Sequence, residues 1–101
     1  MRKKTKNDDE VSQIIEVFVK EFPNYNKNEI IDILYKTSFD IKNSYLVLKD
    51  KENFGYLCFN QEEDLMILEN DTQGEKYMEF AYKKGYINIT KRRKFLLEKN
   101  N

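Results

Sequence analysis

The run FNQEEDLMIL at 59–68 sets three carboxylates, Glu62, Glu63 and Asp64, directly before four apolar residues. Paired carboxylates can serve as acid and base when their surroundings push the two pKa values apart. Consecutive residues on a helix, however, point about 100° from one another, so no two of these three converge on one reacting atom. A calcium loop can be tried from Glu69, with Asp71 and Gln73 at its third and fifth places and Gly74 at its sixth. Its twelfth place, where a bidentate Glu should close the site, is Phe80. The chain has no histidine and one cysteine, Cys58. A zinc site and an internal disulfide are therefore not expected, and neither Cys58 nor any serine has its usual activating base. No glycine-rich phosphate loop occurs, so neither an enzyme nor a bound cofactor or metal is expected. The acidic run suits the first turn of a helix, where each carboxylate answers unpaired amides and the helix dipole by a few tenths up to ~1 kcal/mol. Leu65, Leu68 and Met66 are then expected to turn inward.

The elements around this run read as helices. Residues 1–8, with the charge run RKKTK, form an expected mobile tail, and 99–101 a second one. From Val11, the positions Ile14, Ile15, Phe18 and Phe22 make a helical stripe, with Asp8 and Asp9 before it as caps and Pro23 as its stop. Asn26 and Glu29 have capping-box spacing, with Tyr25 placed to staple onto Ile30, and open a helix carrying Ile30, Ile31, Ile33 and Leu34. Asp40 caps a third helix whose Ile41, Tyr45 and Leu48 share a face. After a break at 49–55, the segment 56–59 returns across the bundle. Asn60 with Glu63 and Thr72 with Glu75 repeat the capping-box spacing, Gly85 has the position of a C-cap, and a last helix runs from about Asn88 through Phe95 and Leu96.

These readings give an all-α fold: a small bundle of about five to six short helices, with a three-helix N-terminal half (9–50) packed against a C-terminal helical half (56–98). At 101 residues the expectation is one domain, 9–98, burying roughly 65% of its unfolded surface. Charges balance at 18 basic and 18 acidic residues, so no overall basic field draws the chain onto nucleic acid. The basic run at 91–94 reads as the polar side of an amphipathic helix, with Arg92 placed to pair with Glu63 or Asp64. No apolar run approaches the ~20 residues of a membrane span, and no h-region of a signal peptide is present. A cytoplasmic or nuclear location is the expectation.

Two family resemblances follow from these patterns. Residues 11–48, with Phe22 and Pro23 near the end of helix one and Leu46, Val47 and Leu48 ending helix three, resemble a CUE-type ubiquitin-binding module. The runs FNQEEDLMIL, YMEFAYKKGY and ITKRRKFLLEK look like the C-terminal domain of the telomeric repressor-activator protein (Rap) family. Phe59 stands where that family has tryptophan, Arg92 and Phe95 meet its Arg-x-x-Phe spacing, and Glu63, Asp64, Leu65, Gly85 and Leu96 fall on like residues. With the helical first half included, this resemblance covers about nine-tenths of the chain. It implies a shelterin-like docking module that binds an apolar helix or short segment of a protein partner, such as a double-strand telomere-binding factor, and itself holds no DNA. The implied location is nuclear, at chromosome ends. The CUE resemblance implies ubiquitin binding as the alternative.

Apolar residues lying off each helix's own stripe indicate where a partner would dock. On helix one, Val19 lies about 80° to one side of the stripe and Val17 about 120° to the other. On helix three, Leu46 and Val47 both miss the face of Ile41, Tyr45 and Leu48. Either the second half of the chain covers these residues or a partner does. Under the partner reading, Val19, Phe22, Ile33 and Leu34 flank a groove for a helix, with Val17, Leu46 and Val47 beside it.

Overall fold

Capping chemistry sets most of the helix starts. The structure is a computed structural model that describes residues 8–69 and 74–99. Asn26 Oδ1 accepts from the Glu29 amide at 2.8 Å while Glu29 Oε1 accepts from the Asn26 amide at 3.0 Å, a complete capping box that opens α2 (Lys27–Lys36). Asp40 accepts from the Asn43 amide at 2.9 Å and opens α3 (Ile41–Lys49). Asn60 and Glu63 repeat the reciprocal pair at 2.8 and 3.0 Å at the start of α5 (Gln61–Glu69). Between α3 and α5 the break resolves into a single turn, α4 (Lys51–Phe54), capped by Asp50, and a 3-10 turn at Gly55–Leu57.

Some ends differ from expectation. The first helix, α1 (Asp8–Glu21), already contains Asp8 and Asp9, which were expected to cap it from outside, and it closes ahead of Pro23. α6 (Glu75–Lys84) begins after Gly74; the Thr72 cap expected for it lies outside the described residues, as do Asp71 and Gln73. Gly85, at φ 91°, ends α6 and starts α7 (Tyr86–Lys99) within one residue, so the last helix begins ahead of Asn88. Of the expected tails, Asp8 and Lys99 are helical and the remainder lies outside the described residues. Among the described residues there are no strands, and the fold is the expected all-α bundle: six helices of nine residues or more, one single α-helical turn and one 3-10 turn.

Two cores lie side by side in a slab of 43 × 41 × 19 Å. The first joins α1, α2 and α3 through Phe18, Ile30, Ile33, Leu34, Val47 and Leu48, and Leu57 closes it from the 3-10 turn. The second joins α5, α6 and α7 through Ile67, Phe80, Ile89 and Leu96 around Phe59. Phe95 packs against both.

Two inward faces are not the expected ones. On α3 the buried residues are Ser44, Val47 and Leu48, while Ile41 and Tyr45 remain exposed. A hydroxyl pair turns α3 this way: Ser44 Oγ meets Thr37 Oγ1 at 2.5 Å, and Thr37 also donates to the Ile33 carbonyl at 2.9 Å. On α5, Ile67 is fully enclosed and Met66 half-buried, but Leu65 and Leu68 face outward. The inward stripe of α5 is instead Glu63, Asp64 and Ile67 at helical spacing, because buried cations wait opposite its carboxylates.

Candidate functional site

The acidic run forms a polar seam rather than a reactive cluster. Glu62 reaches the exposed Lys76 at 3.5 Å, Glu63 reaches Lys84 at 3.3 Å, and Asp64 grips Arg92. Three consecutive carboxylates thus point to three different cations, as the 100° step of a helix requires. The Asp64–Arg92 pair is side-on and two-toothed, Nε to Oδ1 at 2.8 Å and Nη2 to Oδ2 at 2.9 Å. The remaining guanidinium nitrogen, Nη1, donates to the Tyr35 carbonyl at 2.6 Å and to Ser38 Oγ at 3.4 Å. Lys84, equally buried, donates from Nζ to the carbonyls of Tyr56 and Cys58 at 2.5 Å each.

Phe59 lies beneath both cations. Lys84 Nζ stands 4.7 Å and the Arg92 guanidinium 5.3 Å from its ring centre, and Arg92 also covers Phe95 at 5.1 Å. The Phe59 amide donates to the Lys36 carbonyl at 2.9 Å, tying the seam to the end of α2. Burial lowers the Lys84 pKa, against the pull of Glu63. Burial likewise pushes the Cys58 thiol up despite the nearby Lys36 and Lys84, so it lacks the low pKa of an activated nucleophile. Among the described residues no buried side-chain polar atom lacks a hydrogen-bond partner, and no group of three His, Cys, Asp or Glu side chains could hold a metal.

The residues of the Rap-like pattern mostly gather here. Phe59, Glu63, Asp64, Arg92, Phe95 and Leu96 build the seam and the second core, and Gly85 makes the α6–α7 break. Leu65 stands apart on the surface. Lys84 carries as much of the seam as Arg92 does, and the sequence offers no signal for it: hydropathy does not separate it from the exposed Lys83.

An open hollow lies elsewhere, between α1 and α3. It measures about 610 Å³ and is floored by Ile14, Val17, Phe18, Ile41 and Tyr45, with Glu10 and Glu21 on its rim. Of the residues expected to dock a partner, Val17 lies in it and is 63% exposed. The expected groove of Val19, Phe22, Ile33 and Leu34 is filled by the chain itself. Ile33, Leu34 and Val47 are enclosed, and Val19, Phe22 and Leu46 pack half-buried on the first core. Phe22 stacks on Phe18 with ring centres 6.1 Å apart and meets Tyr45 edge-on at 5.3 Å. Rotation of α3 about its axis explains the shift: burying Ser44 and Val47 brings Ile41 and Tyr45 out beside Val17.

Comparison with protein-family models, with curated proteins and with solved structures gives no match. The basic run at 91–94 does not form one patch, since Lys91 bonds Asp40 at 2.7 Å, Arg92 is enclosed and Lys94 alone of these three is exposed without a described bond. No helix among the described residues is long and apolar enough to cross a membrane.

Proposed function

We propose that this chain is a non-enzymatic docking domain of the telomeric repressor-activator type, which receives an apolar helix or short segment of a protein partner in the groove between α1 and α3. The observation that carries the reading is an open apolar floor of Val17, Ile41 and Tyr45 on a domain whose two cores are already closed. A helix that lays one apolar stripe into such a floor recovers surface that neither core covers. Glu10 and Glu21 stand eleven residues apart along α1, about 16 Å, which matches roughly three turns of a bound helix. The charge of Glu21 favours a partner segment with a basic residue near one end. The gathering of Phe59, Glu63, Asp64, Arg92, Phe95 and Leu96 about the seam and the second core supports the family reading, and the partner class it brings is a telomeric double-strand DNA-binding factor, met in the nucleus at chromosome ends.

The test is co-precipitation of that factor from the source organism with the unaltered domain and with Val17→Glu. Val17 is exposed, so the variant should keep its helical circular dichroism and lose the partner. Retention of the partner by the variant, or failure of the unaltered domain to bind it, refutes the reading. A ubiquitin titration with saturable shifts centred on Phe22, Pro23 and Leu48 replaces it with the CUE-like alternative.

A further inference from the structure

α3 forms one wall of the groove through Ile41 and Tyr45, and its first turn, opened by the local Asp40 cap, is tied to the far end of the chain. α2 ends in a Schellman turn: the Phe39 amide bonds the Leu34 carbonyl at 2.6 Å and the Ser38 amide bonds the Tyr35 carbonyl at 3.2 Å. Ser38 and Phe39 are both left-handed, at φ 63° and 59°. Residues other than glycine seldom adopt this conformation, and two in succession persist only where their surroundings hold them.

α7 supplies the hold. Arg92 Nη1 bonds the Tyr35 carbonyl and Ser38 Oγ, Lys91 Nζ bonds Asp40 Oδ2 at 2.7 Å, and Asn88 Oδ1 accepts from Asn43 Nδ2 at 3.2 Å. Asn88, Lys91 and Arg92 share one face of α7 by their spacing. Asp40 is the cap of α3 and Asn43 the residue whose amide it receives, so Lys91 and Asn88 brace the two ends of the same capping bond. Ile41, in the groove wall, lies between them in the chain.

We propose that α7 is a clamp that sets the groove: Asn88 and Lys91, backed by Arg92, are positioning residues that hold the first turn of α3 and thereby fix Ile41 and Tyr45 opposite Val17. The coupling is reciprocal, so a helix seated in the groove tightens the grip of α7 on α3 by the factor with which that grip raises its affinity. What the groove receives rests on the docking reading above. The setting of its wall by α7 does not, and two measurements keep the two apart.

The first measurement needs no ligand. In the Asn88→Ala/Lys91→Ala variant, side-chain NMR signals of Val17 and Tyr45 should shift or broaden while the Ile67 methyl signals of the second core stay in place. Lys91→Arg, which keeps a donor within reach of Asp40, should leave Val17 and Tyr45 as in the unaltered chain. Unmoved Val17 and Tyr45 in the double variant overturn the clamp, and so does equal movement of Ile67, which reports general softening. If the double variant loses its helical circular dichroism, Asn88→Ala alone is read by the same criteria.

The second measurement titrates a synthetic amphipathic peptide of about twelve residues, the length of the groove, with a leucine stripe and lysines at both ends. The double variant should bind it about tenfold more weakly than the unaltered domain, a usual size for coupled sites. Equal affinity overturns the clamp. Absence of binding to the unaltered domain counts against the docking reading, and the ligand-free signals then decide the clamp by themselves.

Discussion

Arg92 and Asp64 lie 28 residues apart and meet side-on, with both carboxylate oxygens bonded to one guanidinium and a third nitrogen left for the Tyr35 carbonyl. One side chain on α7 therefore joins α5 to the end of α2 and holds the two cores together. Removing one partner of such a buried pair leaves the other charged and unpaired, which is worse than replacing both. Arg92→Met should destabilise the domain by about 3–5 kcal/mol in urea unfolding. Adding Asp64→Leu to it should recover part of the loss, because the orphaned carboxylate is then gone. A cost below about 1 kcal/mol for Arg92→Met would place the pair among ordinary surface bridges.

Lys84 makes a different prediction, since its main partners are backbone carbonyls that no second substitution can remove. Lys84→Met leaves the Tyr56 and Cys58 acceptors without their donor, at about 1–3 kcal/mol for each one left unsatisfied. Lys76→Ala, which breaks the exposed bridge to Glu62, should cost less than about 1 kcal/mol. Chemical unfolding of the two variants side by side checks the contrast, and similar losses would contradict it.

The left-handed pair at the α2–α3 corner predicts opposite outcomes at adjacent positions. Ser38→Gly relieves the Cβ conflict of a left-handed residue and gives up only a 3.4 Å bond to Arg92, so it should stabilise by up to about 1 kcal/mol. Phe39→Gly relieves the same conflict but empties a core position, and should destabilise by about 3–5 kcal/mol. Thermal melts of both variants measure the pair; a lower melting temperature for Ser38→Gly would show that the corner is not strained there.

Asp40 links the α3 cap to pH. Burial acts to raise its pKa, but the hydrogen bond from Lys91, the Asn43 amide and the Lys91 charge outweigh that and hold the carboxyl below its ordinary value of 3.8. Its contribution to stability is therefore fully present above pH 3.8 and is lost as the pH falls through the lowered folded value. Unfolding measured from pH 6 downward should show Asp40→Asn less stable than the parent at the upper end, with the gap closing in acid. A gap that persists unchanged below the folded value would mean that proton linkage at Asp40 is not the cause.

Local signals were legible where partners lie three or four residues apart. Asn26 with Glu29, Asp40 with Asn43 and Asn60 with Glu63 open helices as their spacing implies, and Gly85 closes one. The Arg92–Asp64 pairing was one of two options the sequence offered, and the structure takes it while giving Glu63 to Lys84. The residues expected to dock a partner were harder to place. Val17 is in the groove, but Ile33, Leu34 and Val47 are core, and Ile41 and Tyr45, read as core, form the open wall.

By itself, then, the amino-acid sequence determined an all-α chain and the starts of α2, α3 and α5, because caps, stops and apolar periodicity act between near neighbours. The tertiary structure alone decided which face each short helix buries. That choice turns on partners far apart in the chain or invisible to hydropathy: Thr37 bonding Ser44 rotates α3, and Arg92 and Lys84 draw Asp64 and Glu63 inward and leave Leu65 and Leu68 outside. A helix of nine or ten residues has too few apolar positions for its own stripe to outweigh one well-placed hydroxyl pair or buried ion pair, so its orientation follows from what it meets.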